Sequence, residues 1–323
     1  MNIQRLRALF NPEIFQGWGK EKSYFEGWYY KILNKNTTRA LAIIPGLAYD
    51  ETGKGHAFIQ VLDGIKHTAK YHRFDINQFD AASDKLSVRI GDNLFTESGI
   101  DLHLPDLTGK LSFVNTVPWP KPFYAPGIMG PYTFTPFMEC YHGIVSMDHT
   151  IHGRLVLGEE EIDFSEGRGY TEKDWGSSFP SAYLWVQTNH FSESGISLKL
   201  SIAKIPWRGS SFTGFIAGVW LRDRLYRFTT YNRSRLLKLE ISTGRVELNM
   251  ENSRFGLEID AIPERAVSLA SPIRGAMEGR IEESMSSQLE LRLYAKREKK
   301  LLYKGKTRHA GLEIAGETSE IVS

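Results

Sequence analysis

The 323 residues read as an all-β protein on three counts. Apolar and polar side chains alternate strictly in run after run. Residues 196–202 (ISLKLSI) put four apolar side chains on one face and Ser197, Lys199 and Ser201 on the other, and residues 246–250 (VELNM), 255–259 (FGLEI) and 289–293 (LELRL) repeat the pattern. Period two with one polar face marks half-buried antiparallel strands. Between the runs sit turn clusters at 34–36 (NKN), 50–53 (DETG), 63–64 (DG), 91–93 (GDN) and 242–244 (STG), the spacing of hairpins that close into barrels or sandwiches. Helical periodicity is missing except near the start, where residues 3–10 suit one short helix stopped before Pro12, acting as a packing arm or a lid.

At about 150 residues per domain the length suits two β domains, expected over residues 20–160 and 165–316. The organisation changes once, at residues 117–136 (VPWPKPFYAPGIMGPYTFTP), with six prolines and two glycines among aromatic rings. Proline removes ladder donors, so this stretch is no central strand. Its rings (Trp119, Phe123, Tyr124, Tyr132, Phe134) point to an ordered loop that either covers something apolar or plugs the fold.

Composition excludes several function classes. Forty Lys+Arg against 38 Asp+Glu leave +2, no single-sign excess of the kind that holds nucleic acid. The single cysteine, Cys140, excludes an intramolecular disulfide framework and any C-x-x-C site. The first twenty residues lack a signal-peptide apolar core, and no apolar run reaches the roughly 18 residues of a membrane span, so a soluble cytoplasmic protein is expected. There is no P-loop, no G-x-G-x-x-G leading a strand into a helix and no G-x-S-x-G elbow, so neither a nucleotide cofactor nor a serine nucleophile is expected. What stands out is 12% aromatic residues.

Three segments carry residues suited to chemistry. In residues 24–31 (YFEGWYYK), Tyr24, Glu26, Trp28 and Tyr30 share one strand face, and a carboxylate between rings has a raised pKa if that face is interior. The plainer reading pairs Glu26 with a nearby Arg or Lys. In residues 170–176 (YTEKDWG), Glu172 and Asp174 share a face beside Trp175 while Lys173 points the other way, and two close carboxylates push their pKa values apart so that one stays a proton donor. Downstream, Tyr183, Trp185, Gln187 and Asn189 alternate with Leu184, Val186, Thr188 and His190, which suits a ligand cavity with a few orienting hydrogen bonds. The third segment holds Cys140, His142, His149 and His152, but at no recognisable zinc spacing, so strand histidines or cavity donors are expected and no metal.

Together these segments resemble the tocopherol cyclase family. Residues 25–31 (FEGWYYK) are similar to its F-E-G-W-Y-F-K opening. Residues 136–143 (PFMECYHG) and 147–153 (MDHTIHG) continue the likeness. Residues 171–180 (TEKDWGSSFP) with 185–189 (WVQTN) resemble A-E-K-N-W-G-x-x-F-P and W-x-W-V-Q-x-N, and residues 310–316 (AGLEIAG) resemble the A-A-L-E-I-G-G close. The resemblance implies two lipocalin-like β halves, an apolar cavity, no cofactor, and an isomerase that closes a chroman ring on a prenylated hydroquinone. An acid would protonate the alkene and the phenol oxygen would capture the tertiary cation, a step that needs a neutral carboxylic acid and ring faces in a dry pocket. On that basis Glu172 is the expected acid, with Asp174, which stands where the family pattern has Asn, modulating it and Glu26 in reserve. Trp175 and Trp185 would face the cation, Gln187 and Asn189 would orient the phenol, and Trp28, Tyr30, Tyr183 and His142 would complete the binding set. The partner would be an apolar isoprenoid, collected by peripheral contact with a membrane. Two other readings stay open: another isoprenoid-active enzyme of the same type, such as a carotenoid hydratase or a pericyclase, and a non-enzymatic lipid carrier.

Overall fold

The computed structural model describes residues 3–322, which form one short helix, α1 (Ile3–Phe10), and strands. In chain order these are β1 (Tyr24–Leu33), β2 (Ala40–Tyr49), β3 (Gly55–Asp63), β4 (Thr68–Asp75), β5 (Phe79–Ala81), β6 (Ser87–Ile90), β7 (Asn93–Thr96), β8 (Gly99–His103), β9 (Leu107–Val114), β10 (Cys140–Leu157), β11 (Glu160–Asp163) and β12 (Gly167–Gly176). There follow β13 (Tyr183–Thr188), β14 (Ile196–Trp207), β15 (Ser210–Leu221), β16 (Arg224–Thr229), β17 (Arg235–Ser242), β18 (Arg245–Glu251), β19 (Phe255–Ile262), β20 (Val267–Ile273), β21 (Ala276–Ala295) and β22 (Lys300–Ala315). The all-β, lipocalin-like expectation and the lone N-terminal helix both hold.

The strands make two antiparallel sheets. The first runs β4-β3-β2-β1-β12-β10-β9-β8-β7-β6-β5 with β11 on β10, and the second runs β16-β15-β14-β13-β22-β21-β19-β18-β17 with β20 on β21. Most neighbours are hairpins, as the turn clusters require, but β1 pairs with β12 across more than a hundred residues, from Phe25 opposite Gly176 to Leu33 opposite Arg168. That pairing moves the boundary. The chain divides into one unit of residues 1–179 with 269–280 and another of 180–268 with 281–323. The expected break at 160–165 is therefore too early, because β12 is held by β1 on one side and β10 on the other.

Each unit has its own apolar core, built from one face of its sheet. In the first unit Trp28, Tyr30 and Ile32 of β1 pack with Ile43, Ile59 and Phe95. In the second, Leu184 and Val186 of β13 pack with Leu198, Leu200, Leu291 and Leu312. Residues 117–136 are ordered: Trp119 and Ile128 are buried, Val117 is tied to β10 by hydrogen bonds with Asp148 and Met147, and a single 3₁₀ turn forms at Gly130–Phe134. Segment 269–280 docks on the first unit, where the Ala270 N–H donates to Gln60 at 2.8 Å and the Gly275 N–H to the Ser177 carbonyl at 2.6 Å. A side chain at Gly275 would lie 2.0 Å from the Tyr49 carbonyl, and its φ of +84° suits glycine.

Candidate active site

Residues directly opposite in an antiparallel pair share a sheet face, so register decides which side chains meet. Tyr29 lies opposite Glu172 and Gly27 opposite Asp174, while on the other flank of β12 His142 lies opposite Asp174 and Ile144 opposite Glu172. Tyr170, Glu172, Asp174 and His142 thus gather on the face turned away from the Trp28–Tyr30 core. His142 Nδ1 is 2.6 Å from Asp174 Oδ1 and His142 Nε2 is 3.4 Å from Glu172 Oε2. The Tyr170 hydroxyl donates a short hydrogen bond to Glu172 Oε2. The Glu172 side chain is 3% exposed and that of Asp174 25%, so the imidazole bridges a dry carboxyl and a wetter one. Burial, and then the neighbouring Glu172 carboxylate, hold the Tyr170 phenol well above its usual pKa, so it stays a donor.

The other face of the same strands holds a different constellation. Lys173 and Glu26 form a fully buried ion pair at 2.6 Å. The ammonium also donates to the carbonyls of Pro12 (3.2 Å) and Ile14, and lies 4.9 Å from the Trp28 ring centre and 4.7 Å from that of Trp175. Glu26 further accepts from the Tyr24 hydroxyl at 2.5 Å and the Gln16 N–H at 2.9 Å. Desolvation pulls the Lys173 pKa below the usual lysine value even with Glu26 opposite. Glu26 is therefore held in the plainer of its two readings, as half of an ion pair that ties residues 12–16 to β1 and β12.

Of the residues singled out in the sequence, the structure brings Glu172, Asp174 and His142 together. Glu26, Trp28, Tyr30 and Trp175 lie across the sheet from them. Trp28 and Tyr30 are core side chains, and Trp175 stacks on Tyr141 at 5.6 Å. Tyr183, Trp185, Gln187 and Asn189 belong to the second unit. There Tyr183, Trp185 and Gln187 share a face with Lys199, whose ammonium lies 4.7 Å from the Trp185 ring, and with Glu313, which accepts from the Tyr183 hydroxyl at 2.8 Å. Gln187 and Asn189 are fully buried.

Sequence reading missed Tyr170, although its parity with Glu172 and Asp174 was available. It also missed Phe58. Gly27 pairs with Gly46, which pairs with Phe58, so two adjacent strands offer no side chain beside Asp174. The Phe58 ring takes that space, since a Cβ at Gly46 would sit 2.5 Å from its Cζ, and Tyr71 stacks on it at 5.2 Å.

His142, Glu172 and Asp174 also place ligand atoms within 4.8 Å of one another, a spacing that could hold a divalent ion. His149 does not join them. Its ring lies 4.4 Å from that of Phe113 and above Gly169, where a Cβ would be 2.2 Å from Nε2.

An all-β, lipocalin-like unit with an imidazole set between a buried carboxyl and a wetter one is the class of protein that the fold and the cluster define. More particularly, residues 112–316 match the family described as tocopherol cyclase-like, and the chain belongs to it. The match takes in the whole His142–Glu172–Asp174 cluster but not Glu26. A probable chloroplastic tocopherol cyclase of Oryza sativa subsp. japonica is 24% identical over 192 residues, 56% of this chain and 40% of that protein. The chloroplastic tocopherol cyclase of Zea mays is 22% identical with the same coverage, so the chain spans about two fifths of the length of these relatives. Among solved structures, CghA with Sch210972 aligns over 91% of this chain and 89% of its own at 10% identity, with a TM-score of 0.58, a likeness of fold.

Proposed function

We propose that the chain is a cofactor-independent cyclase that closes a chroman ring on a prenylated hydroquinone or a closely similar isoprenoid. The observation that carries this reading is the chain Tyr170–Glu172–His142–Asp174, with a nearly fully buried carboxyl at one end and a partly exposed one at the other. Protonated Glu172 gives its proton to the less substituted alkene carbon, leaving a tertiary cation. The phenol oxygen forms the new C–O bond, and its proton returns to the Glu172 carboxylate. No proton is gained or lost overall, so the reaction is an isomerisation. Tyr170 orients the carboxyl by its hydrogen bond. His142 resets the acid when its proton escapes, taking one at Nδ1 from Asp174 and delivering one from Nε2 to Glu172. Phe58 offers a ring face on the same side of the sheet, of the kind that steadies a developing cation.

The test is turnover of a prenylated hydroquinone by purified protein in isotopic water, with Glu172→Gln as the variant. The expected result is a chromanol carrying one solvent-derived hydrogen on carbon, insensitive to a chelator, and a loss of about 10²–10⁴-fold in Glu172→Gln with ligand binding retained. Incorporation of solvent oxygen would instead identify a hydratase. Binding without product would identify a carrier. Full activity in Glu172→Gln, or its abolition by EDTA, would remove Glu172 or the metal-free mechanism from the proposal.

A further inference from the structure

A helix that packs on a β fold buries its apolar stripe. In α1 the stripe is turned outward. Ile3, Leu6 and Phe10, at i, i+3 and i+7, are 72%, 42% and 37% exposed, while Ala8 on the other side is buried. The Pro-rich loop lies alongside: Phe10 meets Phe134 at 5.8 Å, and a Cβ at Gly127 would be 2.7 Å from Pro12. This loop also displays its rings, with Phe123 79%, Tyr124 65% and Phe137 98% exposed. Phe137 is held at φ +65°, a left-handed conformation that costs free energy in a bulky residue, and its ring is bare. Charge sorts with the rings: residues 3–12 and 117–138 contain Arg5, Arg7 and Lys121 and no Asp or Glu, with Lys121 balanced by Glu13 at 2.5 Å.

We infer that α1 and the 117–138 loop form a membrane-docking surface, whose occupant is the headgroup–acyl boundary of a lipid bilayer bearing anionic lipid. Exposed Phe, Tyr, Leu and Ile with Arg7, and with Arg5 held on the Trp18 and Gly19 carbonyls, beside them fit that boundary, where apolar side chains enter the acyl layer and cations meet phosphate. A second copy of the chain fits worse, since a two-fold contact through this patch would bring two surfaces of the same positive sign together. The surface stands on its own observations, and its test needs no turnover, so its outcome is separate from that of the cyclase reading.

The experiment is co-sedimentation of the full chain with vesicles of phosphatidylcholine, with and without phosphatidylglycerol. Wild type is expected to bind, more tightly with phosphatidylglycerol. Phe123→Ser/Phe137→Ser, at side chains that contribute little to packing, is expected to keep the wild-type melting temperature and to weaken binding by about tenfold or more. Arg7→Gln should erode the preference for anionic lipid, and Leu301→Ser, an exposed leucine of the second unit, should change nothing. Absence of wild-type binding, equal binding by the Phe123/Phe137 variant, or an equal loss in Leu301→Ser overturns the inference. So does a lipid-free dimer that becomes monomeric in Phe123→Ser/Phe137→Ser.

Discussion

Lys173→Met isolates the ion pair beneath the candidate site. Both Lys173 and Glu26 are 0% exposed, and the substitution leaves the carboxylate with the Tyr24 hydroxyl and the Gln16 N–H as its remaining polar partners. Stranding one buried charge of a pair costs about 3–5 kcal/mol, and with those donors kept the lower end applies. For a unit of this size, at about 2–4 °C per kcal/mol, a loss near 3 kcal/mol lowers the melting temperature by roughly 6–12 °C. The pair itself is worth far less than that. Desolvation is the largest influence on Lys173 and outweighs the attraction of Glu26, so replacing both residues is expected to restore most of the loss. Glu26→Gln/Lys173→Met should melt within about 1–2 kcal/mol of wild type. Thermal unfolding followed by near-ultraviolet circular dichroism, to which Trp28 and Trp175 beside the ammonium contribute, reads both variants. A Lys173→Met protein melting with wild type, or a double variant as unstable as the single one, refutes the argument. The same pair decides the place of Glu26 in catalysis: Glu26→Gln should keep turnover per folded molecule, unlike Glu172→Gln.

Three further outcomes follow from the geometry. Asp174→Asn keeps a partner for His142 Nδ1 but removes the solvent-side carboxyl of the proposed relay, so turnover of the prenylated hydroquinone should fall, by less than in Glu172→Gln. Burial, aided by the Arg168 charge, pushes the His149 pKa down to about 3 from its ordinary 6.5. The unfolded chain therefore binds a proton that the folded one refuses, and stability should fall as the pH drops from 6.5 towards 3, by at most about 1.4 kcal/mol per pH unit. His149→Leu should flatten that slope in urea titrations run across the range. Gly176, at φ +153°, would place a Cβ 2.0 Å from the Glu139 carbonyl, so Gly176→Ala should destabilise the first unit by more than about 1 kcal/mol in the same titrations.

Period-two alternation gave many of the strands and the parity of the residues singled out on β1, β12 and β13. It put Glu172 and Asp174 on one face and Lys173 on the other, and the β12 register agrees. Parity does not say which face of a strand is the core. β1 sits in the middle of its sheet and is buried on both faces, so Trp28 and Tyr30, read as cavity rings, turn out to fill the core, while the face of Tyr29 joins the acids. Nor could sequence show that β12 closes on β1: that contact joins residues about 140 positions apart, and only hairpins announce their partners through a local turn. The Phe58 ring was hidden for a related reason. Its place is made by the absence of side chains at Gly27 and Gly46, which become neighbours only after β1 and β2 pair.

Under the proposed mechanism, the asymmetry of the acid cluster gives a role to three groups where one carboxylic acid would transfer the proton. An acid dry enough to protonate an alkene is cut off from the water that must recharge it, since the low dielectric that makes it a donor also excludes solvent. Glu172 has that isolation, and Asp174 has the solvent access that Glu172 lacks. An imidazole between them connects the two without wetting the site, because a proton accepted at one ring nitrogen is matched by one released at the other. The motif that residues 171–176 resemble has Asn where this chain has Asp174, and an amide at that place could orient His142 but could not supply a proton. Under the proposed mechanism the aspartate adds a recharging route to an acid that Tyr170 orients.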